Sequence, residues 1–121
     1  NPVIFLMNIT IVEEKISLNE LREIAKEFYG TMIKGVVDIE KHIVVFGGEF
    51  HMDANNKLLE GQNSLQKNVW GFNVHLDKPR ETWIEFTSLI NIRPLQNNFD
   101  IEITDVNLRQ KMKVIINTKI Q

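Results

Sequence analysis

Residues 69–76, "VWGFNVHL", set Trp70, Phe72, Val74 and Leu76 against Asn73 and His75. Beyond a turn containing Pro79, residues 83–94, "WIEFTSLINIRP", set Ile84, Phe86, Ile90 and Ile92 against Glu85, Thr87, Asn91 and Arg93, and Pro94 ends the run. An extended chain sends successive side chains to opposite faces, so both runs are expected as half-buried antiparallel strands. A sheet with one apolar face must bury it against another layer. Two segments can supply that layer. "SLNELREIAKEFYG" has Ser17 as N-cap, Glu20 three residues on, Leu21, Ile24, Ala25 and Phe28 on one side, and Gly30 where a helix would stop. Near the other end, Thr104 or Asp105 can cap a helix with an apolar stripe of Leu108, Met112, Ile115 and Ile116.

Residues 8–12, "NITIV", are β-branched and short, fitting a first strand at a sheet edge. "KGVVDIEKHIVVFGGEFHM" holds two strand-like runs; a tight turn at Lys41 and His42 would place Glu40 opposite Ile43, Asp38 opposite Val45 and Lys34 opposite Glu49. If "GGEFHMD" continues this strand, Glu49, His51 and Asp53 share one face, with Phe46, Phe50 and Met52 on the other. Gly47 and Gly48 then read as a bulge or a close backbone approach. "DANNKLLEG" suits a short helix capped by Asp53 and ended by Gly61. The order β-α-β-β-(short α)-β-β-α specifies an α+β two-layer sandwich, a mostly antiparallel sheet of four to five strands with two helices on one face. Phe46, Phe50, Trp70, Phe72, Phe86, Leu108 and Met112 are the expected common core.

At 121 residues, 43% hydrophobic and 25% charged, the whole of 1–121 reads as one domain. Met7 is a candidate natural start, which would make residues 1–6 an extension or a remnant. A formal charge of −2 disfavours general binding to nucleic acid. The absence of cysteine excludes a disulfide framework, a thiolate zinc site and a cysteine nucleophile, and accords with a cytoplasmic location. "VIFLM" falls far short of the roughly 18 apolar residues of a membrane span. The sequon at Asn8 reads as coincidence in a strand.

The sheet face away from the helices collects Asp38, Glu40, Glu49, His51, Asn73, His75, Glu85, Asn91 and Arg93, together with Val36, Ile43, Val45, Val69 and Leu89. Histidines, carboxamides, opposite charges and aliphatics on one face resemble a pocket floor or a subunit contact more than a solvated sheet. The expected ligand-binding set is Glu49, His51, Asn73, Glu85, Asn91 and Arg93, with the Arg93 guanidinium as the anchor for an anionic group and an ion pair to Glu85 or Glu49 as its competing use. His51, His75 and Glu49 form an alternative metal set, since two imidazoles and a carboxylate suit a divalent ion; a purely structural use of these side chains competes with it, and no resident cofactor is called for. Trp83 is a candidate for stacking on a ligand.

The motifs "VVDIEKHIVVFGGEFHMD", "VWGFNV" and "WIEFTSLINIRP" resemble those of a family of short, uncharacterised bacterial proteins described as a domain of unknown function, matching at Asp38, Gly48, Glu49, His51, Asp53, Trp70, Gly71, Glu85, Asn91, Arg93 and Pro94. The resemblance implies a free-standing small domain and carries over no catalytic residue. Three functional readings compete: a binding module for a small anionic ligand or a protein partner, a metal-assisted or acid/base hydrolase at His51, Glu49, His75 and Glu85, and an antitoxin-type regulator. The exposed aliphatics also raise a homodimer.

Overall fold

The computed structural model describes residues 8–121, and the expectation about residues 1–6 lies outside them. Eight elements follow the expected order: β1 (Thr10–Val12), α1 (Leu18–Ala25), β2 (Met32–Asp38), β3 (Ile43–Phe46), α2 (His51–Gly61), β4 (Val69–His75), β5 (Ile84–Glu85) and α3 (Val106–Lys119). The strands form one five-stranded antiparallel sheet in the order β1-β3-β2-β4-β5, with β1 at an edge as its short β-branched sequence suggests. The fold is α+β.

Capping fixes the two outer helices. Ser17 Oγ accepts the Glu20 N–H at 3.1 Å, and Asp105 accepts from the N–H groups of Asn107 and Leu108 at 2.9 and 3.2 Å. The stripes Leu21, Ile24, Ala25 and Met112, Ile115, Ile116 are buried against Val37, Val44, Phe46, Trp70, Phe72 and Val74. Phe46 and Phe72 meet edge to face, 5.8 Å apart and at 89°. A Cβ on Gly35 would lie 2.5 Å from the Phe72 ring, so a glycine on β2 makes room for that buried aromatic.

Four local expectations change. The β2–β3 register pairs Asp38 with Ile43 and Val36 with Val45, two residues away from the tight-turn pairing. The buried Asp38 carboxylate accepts the N–H groups of Glu40 and Lys41, both at 2.9 Å, and the Ser64 hydroxyl at 2.6 Å, so it closes a longer loop in which His42 takes a positive φ. A shift of two keeps every side chain on its expected face. Secondly, "GGEFHMD" is not a strand. Gly47 and Gly48 adopt φ of 110° and 95°, which ends β3 at Phe46, and α2 starts at His51 with the Asp53 carboxylate accepting the Phe50 N–H at 3.0 Å from inside the first turn. Asp53 thus caps α2 from its third position instead of preceding it, and Phe50, expected in the core, is 62% exposed. Thirdly, α1 ends at Ala25, short of the expected run to Gly30, and Phe28 in the turn that follows is exposed as well.

The fourth change is at β5, which spans only Ile84–Glu85 of the expected run to Pro94. Ser88 Oγ accepts the Ile90 N–H at 3.2 Å and the chain turns. The Asn91 carboxamide then pairs with both backbone groups of Gly71, accepting its N–H at 2.8 Å and donating to its carbonyl at 3.0 Å, in place of a neighbouring strand. A Cβ on Gly71 would sit 2.6 Å from Ser88 Cβ, which is why a glycine occupies that point of β4.

The face expected to be open is partly covered. Ala54 and Leu58 of α2 pack on Val36, Ile43, Val45 and Val69, so β2 and β4 are buried on both sides. Those four aliphatics therefore need no second copy of the chain to cover them, and only Leu89 of the original set remains exposed. Phe72→Ala should cost about 3–5 kcal/mol, because the fully buried ring supports both outer helices. A urea denaturation midpoint unchanged from the parent would contradict that packing.

Candidate functional site

α2 covers only one end of the second sheet face. At the other end Lys34 on β2, Asn73 on β4 and Glu85 on β5 are consecutive cross-strand partners, forming a line of ammonium, carboxamide and carboxylate. Over it opens a cleft of about 470 Å³, lined by Lys34, His51, Asn73, Thr87 and Ser88 and by the apolar Phe50, Met52, Leu89, Ile90 and Ile101. The first turn of α2 supplies one wall and the segment 87–90 the other. Phe50, Met52, Leu89 and Ile101 keep much of their surface exposed, so the accessible lining of the cleft is predominantly apolar, with the buried His51, Asn73 and Ser88 beneath it.

His51 is 7% exposed, and its Nε2 lies 2.8 Å from the Phe72 carbonyl. A carbonyl oxygen only accepts, so Nε2 carries the proton and Nδ1 keeps a lone pair. Burial, with the Lys34 charge, drives the imidazole pKa down to about 4, outweighing the Phe72 carbonyl and the Asn73 side chain beside the ring, which favour the charged form; the ring is neutral at pH 7. Asn73 is 6% exposed; its Nδ2 donates to Glu85 Oε1 at 2.8 Å and to the Thr87 carbonyl at 3.3 Å. Two acceptors on that side fix the orientation of the carboxamide and leave Oδ1 buried without a partner. Glu85 also accepts from His75 Nε2 at 3.1 Å, and the Asn73 bond, ahead of His75, holds its carboxyl below the usual range. The Lys34 ammonium rests over the Tyr29 ring, 5.1 Å from its centroid, and burial lowers its pKa against the opposing pull of Glu85. Among the described residues Lys34 makes no ion pair.

The cleft gathers His51 and Asn73, with Glu85 bonded behind Asn73, and leaves Glu49, Asn91 and Arg93 elsewhere. Glu49 is exposed, its carbonyl held by the Tyr29 hydroxyl. Asn91 is fully buried and spent on Gly71 and the Ile101 carbonyl. Arg93 donates to the carbonyls of Ile90 at 3.0 Å, Gln66 at 2.6 Å and Val69, and to Gln96 Oε1 at 3.2 Å, with its guanidinium 4.3 Å above the Trp70 ring. It forms no ion pair with Glu85 or Glu49 among the described residues; its fork gathers chain ends that no strand satisfies. Trp83 is 3% exposed and bonds Asn117 Oδ1 through its indole N–H, so it is core. Among the described residues no three His, Cys, Asp or Glu side chains are grouped to hold a metal; His51 and His75 are bound to different acceptors, and Glu49 is exposed.

Lys34 was absent from the expected site because the sequence paired it only with Glu49. The apolar rim was missed because Phe50 and Met52 had been assigned to a strand's core side. A contiguous signal for either would have required recognising that the two glycines end β3.

Two expectations follow. The folded-state pKa of His51 lies below the unfolded value near 6.5, so the unfolded chain binds the extra proton first. The His51 contribution is therefore complete above about pH 6.5 and is lost as pH falls toward 4, by about 3 kcal/mol at the acid end. Urea denaturation across that range should show this loss in the parent and a shallower one in His51→Gln; parallel curves would contradict a buried neutral imidazole. Arg93→Met should reduce stability by about 2 kcal/mol by leaving several carbonyls short of donors. An Arg93→Met protein as stable as the parent would free that side chain for another use.

No helix among the described residues is long and apolar enough to cross a membrane. No curated protein and no solved structure matches the chain. Residues 10–119, nearly its whole length, match the family described as Protein of unknown function (DUF5674), and the chain belongs to that family.

Proposed function

We propose that the domain is a binding module for a small molecule, received in the cleft between the first turn of α2 and residues 87–90. The observation that carries this reading is the cleft itself, an apolar concavity between the first turn of α2 and residues 87–90 with Lys34, His51 and Asn73 among its lining. The cleft volume of about 470 Å³ falls within the range of small-molecule sites. Lys34 gives it a cation, so a ligand with an anionic or carbonyl oxygen is favoured, with Lys34 taking the role the sequence suggested for Arg93.

A hydrolytic reading is weaker. An imidazole with a pKa of about 4 is a poor general base near neutral pH, and Glu49 does not line the cleft beside it.

A fragment and metabolite screen by amide NMR tests the module. Hits should perturb residues 50–52, 73 and 87–90, and Met52→Trp, which enlarges a half-exposed rim side chain, should weaken them about tenfold, or about 1.4 kcal/mol. A screen in which no compound perturbs these residues would remove the proposal.

A further inference from the structure

We infer that the chain forms a symmetric dimer through the irregular segment 88–101, one wall of the cleft, each copy covering the same apolar surface of the other. The inference goes beyond the small-molecule reading and concerns the outer side of that wall.

The segment is an arm doubled back on itself. Bridges between Thr87 and Glu102 and between Arg93 and Asn98 join its two limbs, and the Ser88 N–H donates to the Ile101 carbonyl at 3.0 Å. Its polar side chains turn inward: Ser88, Asn91 and Asn98 are buried and satisfy backbone groups. Its apolar side chains stay outside. Leu95 is fully exposed, Leu89 and Phe99 are 78% and 72% exposed, and Ile92 and Ile101 are exposed as well. Single exposed apolar side chains are ordinary on a protein surface, but five on one short arm mark an interaction site. Leu89 and Ile101 extend the patch to Phe50 and Met52 across the cleft.

Area and charge select the occupant. Weighted by exposure, these seven side chains present on the order of 800 Å², the share that one partner contributes to an interface of standard size. The arm also carries almost no charge with which to choose a different partner. Arg93 and Asp100 are its only charged residues, in a chain that is 25% charged, and the Arg93 guanidinium is spent on the carbonyls of Ile90, Gln66 and Val69. A two-fold axis brings a surface against itself, so exposed charge of one sign would repel, and its scarcity favours self-association. Because Leu89 and Ile101 belong to both the arm and the cleft, the second copy lies across the cleft mouth.

Sedimentation velocity of the intact domain over a range of concentrations, with amide NMR on the same samples, tests the dimer. The parent should pass from monomer to dimer as concentration rises to the micromolar range, with shifts centred on residues 50–52 and 88–101. Leu95→Glu and Phe99→Glu, changes at side chains that meet solvent in a single copy, should each weaken the dimer at least about tenfold. Val114→Glu, at an exposed position of α3, should leave it unchanged. A chain that stays monomeric at high micromolar concentration would overturn the inference and leave the arm to a different protein. So would a dimer that survives both arm substitutions, or one that Val114→Glu weakens as much. A monomer that still binds compounds at residues 50–52 and 87–90 keeps the binding module and loses the dimer; a dimer whose cleft takes no compound keeps this inference alone.

Discussion

The hydrogen bond from His51 Nε2–H to the Phe72 carbonyl holds the second face of the sheet together. It joins the first turn of α2 to the middle of β4 at a position from which water is largely excluded, and therefore fixes where the helix lies. With α2 placed there, Ala54 and Leu58 reach Val36, Ile43, Val45 and Val69, while Phe50 and Met52 overhang the uncovered row of Lys34, Asn73 and Glu85. One buried bond thus separates the second face into a packed end and a cleft.

The supports of that arrangement are polar and distributed. Gly47 and Gly48 turn the chain out of β3, Asp53 caps the turn that follows, and Asn55 pairs reciprocally with Gln66 at 2.9 and 2.8 Å to hold the far side of α2. On the opposite wall Asn91 replaces a strand beside Gly71, and Asn98 gathers the carbonyls of Asn91, Asp100 and Glu102 while accepting from Thr104. Arg93 ties Ile90 to the loop before β4. The wall of the cleft is irregular backbone, and carboxamides supply the partners that a longer β5 would have supplied.

Where hydrophobic period and capping chemistry act locally, the sequence is a sufficient guide. Ser17 and Asp105 cap as their positions suggest, the stripes of α1 and α3 are buried, and Trp70 and Phe72 lie on the core side of β4. Legibility ends where a side chain acts on distant backbone. Asp38 lengthens the β2–β3 loop, Asn91 substitutes for β5, and the Asp53 carboxylate turns an alternating pattern into a helix; each residue type also suits a solvated strand. The same ambiguity divides the candidate site. Asn73 and Glu85 come together because they sit on neighbouring strands in the expected phase, and His51 reaches the same side from the first turn of a helix. Glu49 and Arg93 lie elsewhere, and exposed charge or a guanidinium fork looks the same in sequence whether it meets a ligand or the chain.

The most direct measurement is the protonation state and tautomer of His51, read from long-range proton–nitrogen correlations of protein labelled with nitrogen-15 in its histidines, at pH 7. A neutral ring with its proton on Nε2, slow to exchange with water, is the expected spectrum, because the Phe72 carbonyl requires an N–H at that nitrogen and burial keeps the ring uncharged. A neutral ring protonated at Nδ1, or a tautomer mixture exchanging freely with solvent, would mean that α2 is not anchored on β4 by this bond, and the cleft would lose the helix that forms its wall.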